Sequence, residues 1–395
     1  MLKIRLDGRL QQFLKDYEVD LENHHHDIML KLEGLSHEIP YLEENDFPRP
    51  THYSKIATKI REQNEFIAVV GMGGSALVPE MLYHLLPKKG KAPKLVFFNT
   101  PDPIDFAAKM QELELRKTFV IVLSKTGSTI ETHMMAQRLM VKIRNEGLDT
   151  SRKFLFIIGD KDSSIKQLAQ SIQAPMLPYG SKISGRFSAF NEACLILVEV
   201  MGADGNAYLD GGKKIIKSIK EDKTLASPYQ SAIALFNAHQ KGVHASALMS
   251  YGEKFRAFNN WYLQLISESL CKNKKGIFPI VATGPQFHHD ILQLILDGPE
   301  LTFNTILHYT EDTIPEGPLE VLFSKQKDNI NTLLQNQGKG YRFIEIGTID
   351  ETNIGQLVMH FIFEVILLGI LLGIRPTGQP AIEKAKLELR ELVRK

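Results

Sequence analysis

FIAVVGMGGSAL, Phe66 to Leu77, passes from an unbroken apolar run through a glycine-rich loop into the start of a helical pattern. The run Phe66–Val70 has no polar face and is rich in branched side chains, which suits a strand buried on both sides of a sheet. LVFFN (Leu95–Asn99), TFVIVL (Thr118–Leu123) and FLFII (Phe154–Ile158) repeat the design, with helical patterns such as ETHMMAQRLMVKIRNEG between them. That order marks a parallel sheet covered by helices. A second alternating set follows: ALMSY (Ala247–Tyr251), IFPIVA (Ile277–Ala282), LTFNTIL (Leu301–Leu307) and YRFIEIG (Tyr341–Gly347). The pattern predicts two tandem α/β domains with parallel sheets, over 46–209 and 210–350. A helical segment at 1–45 precedes them, and C-terminal helices forming an arm at 351–395 follow. The Gly- and Lys-rich stretch Asp210–Tyr229 reads as the junction, and HHHD at His24–Asp27 as a solvated helical face.

A length of 395 residues accommodates two sizeable cores, at roughly 100–200 residues per domain. Hydrophobic and charged fractions of 43% and 24% are those of an ordinary soluble protein. A net charge of +1 argues against nucleic acid, yet leaves room for a local basic pocket that meets a small anion. Cys194 and Cys271 make no disulfide framework and no metal-spaced pair, and the N-terminus alternates charge too densely for a signal peptide. These features point to the cytoplasm. LVMHFIFEVILLGILLGI, Leu357 to Ile374, is long enough to approach a bilayer span of roughly 20 residues. With His360 and Glu364 inside it, it reads instead as a fully buried helix, so no membrane is expected.

Two loops suit an anion. GMGGSAL places glycines and Ser75 where backbone N–H groups and a helix N-terminus can meet a phosphate; a tight strand-to-helix turn explains the glycines equally well. It is neither a dinucleotide fingerprint nor a Walker loop. SKTGSTIET, Ser124 to Thr132, follows the third strand with Ser124, Thr126, Ser128, Thr129 and Lys125. One hydroxyl can cap a helix, but four exceed what capping needs. Two such loops on one edge of one sheet favour a phosphate site.

Other groups suit chemistry. Glu268 is a carboxylate near the end of the amphipathic helical run FRAFNNWYLQLISESL; taken alone it reads as an exposed or capping residue. Arg186, in ISGRFSAF, can stabilise an oxyanion without losing its proton. His288 and His289 open a helix after a strand, and about 100° between adjacent residues lets only one face a given cleft. Gln379 and Lys386 lie in the tail and alone read as surface residues.

Together these segments resemble the glucose-6-phosphate isomerase (phosphoglucose isomerase) family from the first glycine loop to the C-terminus. GMGGSAL is similar to GIGGS, SKTGSTIET to SKTxTTxET, and SGRFS to GGRFS. YGEKFRAFNNWYLQLISESLCK resembles the tryptophan-containing QLxxESxGK signature, and GIRPTGQPAIEKAK the tail NPFDQPGVExxK. GPQFHHDILQLILDG resembles GxQHxxxQLxxxG, whose spacing to the final glycine selects His289.

The resemblance implies two sugar-isomerase (SIS) domains of three αβα layers, a homodimer, and neither metal nor cofactor. It implies Glu268 as the base of a cis-enediol mechanism between glucose 6-phosphate and fructose 6-phosphate. Arg186 would stabilise the enediolate, and His289 and Lys386 would open the sugar ring, His289 arriving from the neighbouring subunit. Ser75, Ser124, Lys125, Thr126, Thr129 and Gln379 would hold the phosphate. Ser184 and Cys271 stand where the family has glycine, and TGQP replaces FDQP. GMGGSA is also similar to the bifunctional phosphoglucose/phosphomannose isomerases, which generally lack the SKTxTT and QLxxESxGK patterns. A non-catalytic sugar-phosphate sensor is the remaining alternative.

Overall fold

The structure, a computed structural model, describes residues 2–7, 10–11, 21–38, 40–42, 46–49, 53–159, 162–180, 183–221, 227–310 and 317–394. The side chains of His24, His25 and His26, in the HHHD stretch, lie outside what is described. Two compact units emerge. The early unit joins Asn45–Asn206 to Gln379–Lys395, and the late unit joins Met1–Glu44 to Ala207–Gly378.

The strands are β1 (Leu2–Asp7), β2 (Phe66–Val70), β3 (Lys94–Phe98), β4 (Thr118–Ser124), β5 (Phe154–Ile158), β6 (Met176–Pro178), β7 (Ala245–Tyr251), β8 (Phe278–Gly284), β9 (Thr302–Tyr309) and β10 (Tyr341–Ile346). In the early unit they form a sheet of order β3-β2-β4-β5-β6, with every pair parallel. Its central strands are apolar on both faces because helices cover both: every residue of β5 is buried, and so are Val70, Val120 and Val122. β2 lies between β3 and β4, so the winding reverses at the carboxyl ends of β2 and β4. An open α/β sheet binds its ligands at that reversal. GMGGSAL and SKTGSTIET are the loops leaving those two strands.

The late unit has the order β1-β10-β9-β7-β8, parallel except at β1. Pro279 falls in β8, an edge strand, where a missing N–H costs least. The chain start departs from the helical reading. LKIRLD is an edge strand paired antiparallel with β10, Leu2 opposite Ile346 and Asp7 opposite Tyr341. Its alternation of apolar and charged residues has the period of a half-buried strand, with Leu6 buried and Lys3 and Arg5 exposed. A helix, Leu21–Glu33, does follow.

Asp210–Glu221, read as part of the junction, is helical, lying within the helix Gly205–Glu221. Its glycine serves close packing: a Cβ on Gly211 would collide with the carbonyl of Thr352, and one on Gly355 with that of Tyr208. The apolar helix Glu351–Leu371 is enclosed by its own unit, with Leu357–Leu368 buried throughout.

Within that helix, His360 and Glu364 are fully buried and meet Arg342 of β10. Glu364 Oε2 accepts from Arg342 Nη1 and lies 3.1 Å from His360 Nε2. Burial opposes ionisation of Glu364, but the Arg342 guanidinium and His360 outweigh it and hold the carboxyl below its ordinary value. A depressed carboxyl stabilises the fold above its unfolded pKa, near 4.5, and that contribution disappears as pH falls through the folded value. Glu364→Gln should cost about 3 kcal/mol in urea unfolding at pH 7, because it leaves Arg342 buried without its counter-charge. An unchanged midpoint would refute that account of the triad.

Candidate active site

In the early unit the two loops and the arginine segment are built into one edge. The helix Gly74–Leu85 begins on the third loop glycine, and Gly74 touches the backbone of Gly185, next to Arg186. Ser75 is buried, its Oγ 3.0 Å from the Tyr179 hydroxyl. Burial pushes Tyr179 up to about 12, so it stays a neutral hydrogen-bonding phenol.

The hydroxyls of the second loop play different parts. Ser124 is buried and its Oγ accepts from the N–H of Gly127 at 3.1 Å, which shapes the turn. Thr126 is exposed, and its Oγ1 accepts from Ser128 Oγ at 3.1 Å. Thr129 occupies the N-cap of the helix Ile130–Asn145, yet its side chain makes no capping bond. Capping therefore does not account for this threonine.

The cations gather on the same unit. Arg186 is fully buried and donates from Nη1 to Gln379 Oε1 at 2.8 Å, across 193 residues of sequence. The tail helix Pro380–Arg394 brings Lys386 and Glu383, 3.6 Å apart. Lys125 is held below the ordinary lysine value first by burial and then by the positive charges of Arg186 and Lys386, with Glu383 opposing. Cations close enough to suppress one another's charge, on the unit that also carries the glycine loop, suit a multiply charged anion. Arg390, not singled out from the sequence, donates from Nη2 to the Ser128 carbonyl at 2.9 Å and to its Oγ at 2.8 Å, tying tail to loop.

The late unit carries Glu268 and His289. The helix Arg256–Leu270 buries Phe258, Trp261, Tyr262, Leu265, Ile266 and Leu270, which fixes its rotation and leaves Glu268 half-buried in the last turn. Gln264 Nε2 donates to Glu268 Oε1 at 2.8 Å; its place four residues earlier was the available signal for that contact. Cys271 closes the helix at φ −90° and ψ 81°, and Ser184 has φ −63° and ψ 141°. Both are conformations open to any L-residue, so neither departure from glycine strains the backbone. Lys272 Nζ donates to the carbonyls of Arg375 at 2.7 Å and Thr377 at 2.8 Å, anchoring the segment that leads to Gln379.

After β8 a short 3₁₀ turn, Gln286–His289, exposes His289, while His288 is half-buried with Nε2 2.6 Å from the Tyr251 hydroxyl. A cavity of about 650 Å³ at the carboxyl edge of the late sheet is lined by Tyr251, Glu253, His308, Tyr309, Phe323 and Lys327, among others. It includes none of the residues singled out from the sequence.

Two mostly parallel α/β sheets, one with glycine- and hydroxyl-bearing loops at its winding reversal beside a buried arginine, define an α/β protein whose site suits a small anion. The family described as phosphoglucose isomerase matches residues 57–292, and the chain belongs to it. It is 28% identical to the glucose-6-phosphate isomerase of Campylobacter jejuni over 357 residues, covering 84% of this chain and 86% of that one. It is likewise 28% identical over 357 residues to the glucose-6-phosphate isomerase of Methanocaldococcus jannaschii, covering 86% and 87%.

Among solved structures, a hypothetical protein from Thermus thermophilus superposes with a TM-score of 0.85 at 23% identity, covering 99% of this chain and all of the other. A glucose-6-phosphate isomerase from Chlamydia trachomatis gives 0.75 at 18% identity, covering 87% and 72%. Membership in a family of isomerases makes the chain an enzyme and sets aside the sensor reading, whose motive was the two glycine departures.

Proposed function

We propose that the chain interconverts D-glucose 6-phosphate and D-fructose 6-phosphate through a cis-enediol. The observation that carries this reading is the convergence of Ser75, Lys125, Arg186, Gln379 and Lys386 on one unit, around the winding reversal of its sheet. The phosphate is assigned to the Gly71–Ser75 and Ser124–Thr129 loops with Gln379. His289 and Lys386 are assigned ring opening, one transferring the ring-oxygen proton and the other the O1 proton. Glu268 then takes the proton from C2 of the open aldose and returns it to C1, while the hydroxyl proton moves between O1 and O2. Arg186, which keeps its charge throughout, balances the enediolate oxygen. The family resemblance motivates a homodimer in which a second copy supplies His289, and the free cysteines and ordinary composition motivate a cytoplasmic setting.

The test is a coupled assay on the purified protein with glucose 6-phosphate, fructose 6-phosphate and mannose 6-phosphate. Conversion of the first two alone is expected. Comparable turnover of mannose 6-phosphate would move the chain to the bifunctional class that GMGGSA resembles. Binding of all three without conversion would sink the reading.

A further inference from the structure

We propose that Tyr251 is a positioning residue for the turn that carries His289, acting through His288. The proposal rests on the reading of His289 as a ring-opening group. Tyr251 ends β7 and is paired with Gly284, the last residue of β8, so it lies beside the point where the turn leaves the sheet. It is fully buried, with its ring edge-on to Phe287 at 5.2 Å and to His288 at 5.9 Å.

Hydrogen-bond bookkeeping fixes the direction of the contact. A phenol has one proton to give, and the Gln326 carbonyl, 3.2 Å away, can only accept it. His288 Nε2, at 2.6 Å, is then the donor, and the neutral ring is held as the Nε2–H tautomer. The result is a directed chain from imidazole N–H to phenol to carbonyl, in which each bond strengthens the next.

The turn needs such an anchor. It has four residues, with backbone bonds from His288 N to Pro285 O at 3.1 Å and from Asp290 N to Phe287 O at 3.3 Å. At about three residues per turn, successive side chains of a 3₁₀ turn leave in three different directions. Phe287 points into the core, being fully buried, and His288 is tied to Tyr251. His289 takes the remaining direction, outward, and is exposed. Removing the tie frees the turn to rotate and spreads the His289 imidazole over several orientations.

The experiment is steady-state isomerisation of glucose 6-phosphate by the full chain carrying Tyr251→Phe, His288→Ala, His288→Gln, His289→Ala, and Tyr251→Phe with His289→Ala. Tyr251→Phe and His288→Ala should each lower kcat about fivefold with KM within about twofold, as loss of orientation at one catalytic group does. His288→Gln keeps an N–H donor and should restore most of the rate. In the His289→Ala background, Tyr251→Phe should cost nothing further, because its effect passes through the missing side chain.

If Tyr251→Phe slows His289→Ala by the same factor as it slows the parent, the tyrosine is only structural and the proposal fails, while the role of His289 stands. If His289→Ala is as active as the parent, the ring-opening assignment fails and takes this proposal with it. His288→Ala alters a half-buried surface turn, so it probes the same tie should Tyr251→Phe impair folding.

Discussion

Glu268→Gln is expected to lower kcat by about a thousandfold, within the range of a positioned general base, while sugar-phosphate affinity stays within about threefold. The amide keeps the size and hydrogen-bonding reach of the carboxylate, so the apolar helix face and the Gln264 contact survive. It cannot accept the carbon-bound proton. Phosphate recognition is assigned to residues of the early unit, each more than 100 residues from Glu268 in sequence, so ground-state binding should be nearly untouched. Loss of kcat with little change in KM is the signature of a group acting only in the transition state. The measurements are steady-state kinetics and calorimetric titration with fructose 6-phosphate. An active Glu268→Gln enzyme would show the base to be misassigned.

Gly74→Ala should be nearly as damaging, by a different route. A Cβ at that position would overlap the carbonyl group of Gly185 and stand 2.6 Å from the amide nitrogen of Arg186. Backbone cannot swing aside as a side chain can, so the two segments must part. Overpacking of this kind costs about 3 kcal/mol. The displaced pair is Ser75 and Arg186, so binding of inorganic phosphate should weaken together with thermal stability. Gly34→Ala is the control, since a Cβ there meets nothing closer than the Lys31 carbonyl at 3.4 Å. A Gly74→Ala protein with parental melting temperature and phosphate affinity would refute the close approach.

The eight strands read from apolar runs all form, because a short apolar run bounded by turn residues marks a strand without reference to its partners. β1 carries a strand's alternation, but over only six residues at the head of a charged segment that otherwise reads as helical, and the pairing with β10 is what decides it. β6, three residues ending in proline, is too short to carry a pattern. At the site, Ser124 and Thr129 invert the expectation from capping. The buried serine makes the turn, and the threonine at the N-cap leaves its hydroxyl out of the cap. The contrast between His288 and His289 needed the position of Tyr251, 37 residues earlier than His288.

Fold class, the two glycine-bearing loops and the family were therefore readable in order along the chain, since each depends on residues that are neighbours in sequence. Position was not. That Gln379 belongs with Arg186, that Gly74 presses on Gly185, and that the tail clasps the Ser124–Thr129 loop through Arg390 are all contacts between distant segments. They follow from how the strands order themselves in the sheet and how helices close over it, and a one-dimensional pattern holds no record of that choice.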